Sequence, residues 1–301
     1  MSLLSRFFGK LGAPQTAGQA GPLVANPAIE NPLSLILLFA DLRLDAQALQ
    51  QQLRAFDRSM AAALVEFEPD FPAEQPIGLA GWGPHVIKLI GFAAPMPADA
   101  LEACVAPAHY PAELKDQARA HRAHVILYYA GDATSALDQY LALAAVAGAL
   151  SHLGAQIVVN ETANTSLPAQ MLADPESKGK HLKLLQALPL LMLFCGFVKY
   201  EVEGTPGVWM RTYGADRFGL PNFAALAEGH DQGQWYFEIF GNVLGYLQTS
   251  GAQMGEGHSM QVGEDKFFRL RAPNPTEYFL NDAKGLWVAE IIGADQINQP
   301  G

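Results

Sequence analysis

The run SLILLFA (residues 34–40) is apolar at almost every position, whereas DAQALQQQLRAFD (45–57) repeats its apolar residues at helical spacing. That contrast predicts a buried strand and then an amphipathic helix capped by Asp45. ALVEFE (63–68), HVIKLIGFA (85–93) and AHVILYYAG (123–131) predict further strands, and the Pro/Gly-rich stretch containing GLAGWG predicts a loop. ADALEACV begins a helical stretch that runs on irregularly through Pro111. SALDQYLALAAVAGALSHLG (135–154) predicts a long helix, with Ser135 and Asp138 as a capping-box pair and Gly154 just past its end. AQIVVNE (155–161) closes this part as a strand. The order β-α-β-β-α-β-α-β contains the ferredoxin-like pattern with one extra helix–strand pair.

The polar stretch ADPESKGKHLK (173–183) reads as a boundary. Beyond it, FVKYEVEG (197–204) alternates: Val198, Tyr200 and Val202 on one face, Lys199, Glu201 and Glu203 on the other. With VWMRTY (208–213) it predicts a hairpin. DQGQWYFEIFGNVLGYLQTSG (231–251) predicts a helix with Tyr236, Phe240, Val243 and Leu247 inward, Asp231 and Gln234 in a capping-box pattern, and Gly241 and Gly245 spaced for close approach to a sheet. HSMQVGEDKFFRLRA predicts a second hairpin, Phe268 and Leu270 alternating with Arg269 and Arg271, and LWVAEII (286–292) a last strand. The expected fold class is α+β: two α/β sandwich, ferredoxin-like units, with mostly antiparallel sheets and helices packed on one face. The expected segments are an N-terminal helix and linker (1–32), an N-terminal α/β domain (33–172) and a C-terminal α+β domain (184–295).

Composition narrows the chemistry. Half of the 301 residues are hydrophobic, 16% are charged, and the net charge is -11, which argues against a nucleic-acid partner and suits a basic protein partner. Cys104 and Cys195 are far apart in apolar surroundings, so neither a disulfide framework nor a structural zinc site is expected. The longest apolar run, ALPLLMLFCGFV (187–198), is too short for a transmembrane span and holds Pro189 and Gly196. Leu3, Leu4, Phe7, Phe8 and Leu11 share one helical face, which leaves open a weak membrane contact through an N-terminal helix.

Three C-terminal stretches, RTYGADRFGLP, WYFEIFGNVLGYLQTSG and GEGHSMQVGEDKFF, resemble the signature of the bacterial domain of unknown function numbered 4261. The upstream run APMP…AHRAHVILYYAGDATSALDQYLALAAVAGAL is similar to the segment that commonly precedes it, so the resemblance spans most of residues 85–272. Family members tend to carry acidic residues after the Phe-Gly-x-Pro, where this chain has Asn222 and Ala224. The resemblance brings no catalytic residues with it.

Candidate sites are few. The chain has no GxSxG, GxxxxGK[ST] or HExxH motif. His121 and His124 are three apart but lack a third ligand, so no metal and no cofactor is expected. Asn160 and Glu161 follow a strand at its carboxyl end, where Glu161 could serve as a base or the segment could simply turn. Trp209, Arg211 and Tyr213 alternate along a strand and are of the types enriched at binding hot spots. They form either a binding face beside Lys199 and Glu201, or a face covered by a loop or by the first domain, with Arg211 paired to Glu201. In RTYGADRFGLPNFAA (211–225) the glycines and Pro221 predict a structural corner, with Phe218 plugging the core beneath it. The expected function is that of a cytoplasmic, non-enzymatic protein-binding module, such as an immunity or accessory protein for a basic toxin or effector. The alternatives are a small-molecule-binding protein or hydrolase with an inter-domain site, and a regulatory module docked through the N-terminal helix.

Overall fold

The computed structural model describes residues 22–173, 179–280 and 285–297; the N-terminal helix expected over the first residues lies outside them. The chain is α+β, and its backbone divides into two compact units: Met1–Glu161 with Ser166–Leu188, and Thr162–Thr165 with Pro189–Gly301.

The first unit is built on a seven-stranded sheet: β1 (Ser34–Phe39), β2 (Leu64–Phe67), β3 (Ile77–Trp82), β4 (His85–Phe92), β5 (Ala123–Tyr129), β6 (Ala155–Asn160) and β7 (Thr165–Pro168), in the order β2-β3-β4-β5-β1-β6-β7. β1 pairs antiparallel with both β5 and β6. Two of these strands are absent from the sequence reading. β3 is IGLAGW, whose glycines suggest a loop; Gly78 pairs with both Phe67 and Leu89, and only glycine fits there, because a Cβ would meet the Glu66 carbonyl at 2.3 Å. β7 is only four residues long.

Helices cover both faces of this sheet, where one face was expected. Ile36, Leu38, Ile157 and Val159 pack with Leu101, Cys104, Val105 and Ala118 of helices Ala98–Val105 and Ala112–Arg119. Those two helices are separate, and Pro111 stands at the start of the second. Asn160, on the opposite face of β6, reaches Tyr140 on helix Ala136–Ser151. That helix is buried at twelve of its sixteen residues, so it carries no polar stripe. Ser135 caps it by accepting from the Asp138 N–H at 3.3 Å, and Asp45 caps helix Ala46–Phe56 through the Ala48 N–H at 2.7 Å. Leu23 and Ala25 pack on Leu79 and Ala130, so the arm before β1 closes part of the sheet.

The second unit is a six-stranded sheet: β8 (Gly196–Val202), β9 (Thr205–Tyr213), β10 (Asn222–Ala227), β11 (Ser259–Gly263), β12 (Lys266–Arg271) and β13 (Leu286–Gly293), in the order β11-β12-β13-β10-β9-β8. β10 and β13 pair in parallel and the other neighbours antiparallel. Helix Gly233–Ser250 lies on one face, with Phe240 against Phe197, Phe223 and Phe268. Tyr236, Phe240, Val243 and Leu247 are all buried, as their spacing predicts; full burial of an apolar side chain stabilises by about 1.5–3 kcal/mol. Asp231 does not cap this helix: it sits in the 3-10 turn His230–Gln232, and the helix starts two residues later without a side-chain cap. Gly241 and Gly245 do not seat the helix on a sheet, since an added Cβ would meet only Leu191 at 3.8 Å and open space respectively.

The corner after β9 is structural, but it leads into a strand, β10, that its turn residues conceal in the sequence. Gly214 and Gly219 take φ of 83° and 70°. Asn222, the first residue of β10, reaches back to staple the turn, accepting from the Ala215 N–H and donating to Asp216 Oδ1, both at 3.1 Å. Asn222 is 2% exposed, so a carboxylate in its place would be buried facing Asp216. Phe218 is half-buried, its ring stacked on Phe194 at 6.4 Å, and so does not plug the core.

Candidate functional site

Cross-strand register decides what the hairpin face is. Tyr200 lies opposite Trp209, Val198 opposite Arg211, and Lys199 opposite Met210. Opposed residues project to one face, so Trp209 and Arg211 stand with Tyr200 and not beside Lys199 and Glu201. Trp209 is 2% exposed and Arg211 1%, while Tyr213 is half-buried. The exposed binding face expected here is therefore interior. A loop covers it, as the second sequence reading has it, although Arg211 lies across from Val198 and does not reach Glu201 through the ladder.

The cover is the segment Pro275–Leu280. The Phe279 ring stands edge-on to Trp209 at 5.4 Å and to Tyr200 at 6.3 Å, and Leu280 is fully buried in the same cluster as Leu286 and Val288. Arg211 Nη1 donates to the Phe279 carbonyl at 3.3 Å, and its guanidinium lies over the Tyr213 ring at 4.4 Å. The indole Nε1–H of Trp209 is buried with no hydrogen-bond acceptor among the described residues. An unmet buried donor costs on the order of 1–3 kcal/mol.

An ion network anchors this cover. Arg271 donates to both Glu277 oxygens at 2.7 Å and to Glu290, and the Asn274 N–H also donates to Glu277 at 2.7 Å. Burial alone would raise the Glu277 carboxyl, but the Arg271 fork, the Asn274 N–H and the arginine charge together hold it below its ordinary value. The same hydrogen bonds raise Arg271 further above the usual guanidinium range.

The other candidates separate. Asn160 is buried, its amide 3.5 Å from the Tyr140 hydroxyl, whereas Glu161 is exposed at the start of a 3-10 turn; the two do not converge on one site. His121 is 4% exposed, accepts from the Met96 N–H at 2.8 Å and donates to the Ala118 carbonyl at 2.6 Å, which uses both ring nitrogens. Burial lowers its pKa. His124 contacts the Ala94 carbonyl at 2.7 Å and stacks on Phe92. Among the described residues no group of three or more His, Cys, Asp or Glu is placed to hold a metal ion. Both cysteines are buried, and burial pushes the Cys195 thiol far up. One polar cluster escapes the sequence reading: the Tyr129 hydroxyl accepts from the Ala133 N–H at 3.0 Å and lies 3.3 Å from His85 Nδ1. Burial raises Tyr129 to about 12 and lowers His85. The two residues are far apart in sequence, so only the fold joins them.

The second unit carries an open depression of about 510 Å³ where β8 turns into β9 and β10 ends. Glu201, Glu203, Glu228 and His230 line it; all four are exposed, and His230 Nε2 is 3.1 Å from Glu201 Oε1. Gly207 forms part of its wall at φ 108°, where a Cβ would meet the Ala227 carbonyl at 2.5 Å. Three carboxylates around one imidazole attract cationic groups and repel anions. The charged positions of FVKYEVEG supply two of these acids; Glu228 joins them only through β10, which the sequence reading lacks.

No helix among the described residues is long and apolar enough to cross a membrane. No curated protein and no solved structure matches the chain. Residues 211–282, which run from the buried Arg211 past the end of its cover, match the family model described as Domain of unknown function (DUF4261), the family that the C-terminal motifs resemble.

Proposed function

We propose that this chain is a cytoplasmic, non-enzymatic protein-binding module that recognises a basic partner, as an immunity or accessory protein for a toxin or effector does. The observation that carries the reading is the acidic depression formed by Glu201, Glu203 and Glu228 with His230. A lysine or arginine side chain of a partner fits its charge, and the net charge of -11 favours the approach of a cationic surface. Trp209 and Arg211 have no part in the contact, because both are buried.

The test is affinity purification from the native host with mass spectrometry, run in parallel on the wild type and on a Glu201→Lys, Glu203→Lys, Glu228→Lys variant. A stoichiometric basic protein that is held by the wild type, lost from the variant and released by salt supports the reading. A partner retained equally by both, or a bound metabolite in place of a protein, overturns it.

A further inference from the structure

We propose that Pro275–Leu280 is a releasable strap, which opens while both hairpins and helix Gly233–Ser250 stay folded and so brings the Trp209 indole into contact with solvent. Three observations carry this. The strap lies outside the strand registers of the sheet: β9 pairs with β8 and β10, and β13 with β10 and β12. Its departure therefore breaks no ladder. It is also irregular, two short helical turns merged across a kink at Glu277 (φ -95°, ψ 35°), so no continuous helix has to melt.

Its attachments are of two kinds. The Arg271–Glu277 fork is partly open to water, with side chains 24% and 13% exposed, and an ion pair reached by water and salt is weakened by both. The other attachments are apolar packing and one hydrogen bond, all local: Leu280, buried with Trp209, Leu286 and Val288, the Phe279 ring against Tyr200 and Trp209, and the bond from Arg211 to the Phe279 carbonyl. Beneath the strap, the Trp209 N–H has no acceptor among the described residues in the closed form. Water supplies one when the strap lifts, which favours the open form relative to a fully satisfied interior. The opposite face of the sheet keeps its own cover, because Phe240 packs on Phe197, Phe223 and Phe268 independently of the strap.

The experiment follows hydrogen exchange of the Trp209 indole N–H by NMR in the full chain, with the resonance assigned through Trp209→Phe. Protection of that N–H, corrected for intrinsic rates, is expected to be at least about tenfold lower than that of the Phe240 and Val243 amides. Glu277→Gln is expected to lower it by about a further tenfold while those amides hold their values. Indole exchange only in step with Phe240 and Val243 overturns the proposal, as does a Glu277→Gln effect equal at all three positions or absent. Should Glu277→Gln fail to fold, the wild-type comparison decides alone. No partner enters the measurement, so its failure leaves the proposed function standing.

Discussion

Phe279 meets Trp209 edge-on, with ring centroids 5.4 Å apart and planes at 69°. This contact closes the face of β9 that carries Trp209 and Arg211 and turns a pattern suggestive of recognition into part of a core. Trp209→Ala is expected to destabilise the second unit by about 3–5 kcal/mol, read as a lowered urea midpoint. Trp209→Phe keeps a ring against Phe279 and deletes the unmet indole donor, so its change is expected to stay within about 1.5 kcal/mol. An alanine variant as stable as the wild type would show that Trp209 is not enclosed.

The hairpin shows what one strand's pattern can and cannot reveal. The alternation of FVKYEVEG sorts Tyr200 from Glu201 correctly, because side-chain direction along a strand follows from its period of two. Which residues of β9 join Tyr200 depends on register, and register is set by the turn and by neighbouring strands. The covering segment lies more than sixty residues further along, and nothing in PTEYFL marks it as a lid for Trp209. β3 and β10 are hidden for a local reason: IGLAGW and the LPNFAA stretch contain the glycines and proline that usually punctuate loops. The depression is only half legible, since the Glu201–Glu203 side is written in the alternation of β8 while Glu228 and His230 arrive through the unrecognised strand.

The Arg271–Glu277 fork should act as a unit. Arg271→Ala and Glu277→Ala are each expected to cost about 1–3 kcal/mol, and the double variant less than their sum, because Arg271→Ala strands the Glu277 carboxylate whereas Glu277→Ala leaves Arg271 its bond to Glu290. Glu277 is held below its ordinary value of 4.5 in the folded chain, so its stabilisation is present above that value and is lost as pH falls below it. A double-mutant cycle at pH 7 and pH 3.5 checks both statements. Strictly additive effects at pH 7 would exclude the coupling.

Acid should also loosen the first unit, at a higher pH. Burial lowers the His121 pKa from 6.5, and both ring nitrogens serve the neutral form: Nδ1–H on Ala118 and Nε2 accepting from Met96. Protonation needs the Met96 bond to break. The contribution is present above pH 6.5 and declines as pH drops, with a slope of at most about 1.4 kcal/mol per pH unit for one proton. His85, lowered mainly by burial against the opposing charge of Asp138, adds a decline of the same sign. Urea unfolding between pH 8 and pH 5 should show the loss, and His121→Gln should show a shallower one even though it starts from lower stability. An identical slope in the variant would assign the proton elsewhere.

Two glycines of the second unit should answer oppositely to alanine. At Gly196, which opens β8, an added Cβ would lie 1.8 Å from the Ala163 carbonyl oxygen, a clash with backbone that no rotamer change relieves. Gly196→Ala must therefore displace either β8 or the Thr162–Thr165 segment, and a loss of about 4 kcal/mol or more is expected. Gly245 lies within helix Gly233–Ser250 with nothing within 4 Å of an added Cβ. There the methyl meets no neighbour, while the unfolded chain loses backbone freedom, so Gly245→Ala should stabilise by about 0.5–1 kcal/mol. Thermal and urea unfolding of the two single variants measure the contrast. A destabilising Gly245→Ala would mean that this stretch of the helix is covered by something in solution, and a neutral Gly196→Ala would mean that β8 does not lie against Ala163.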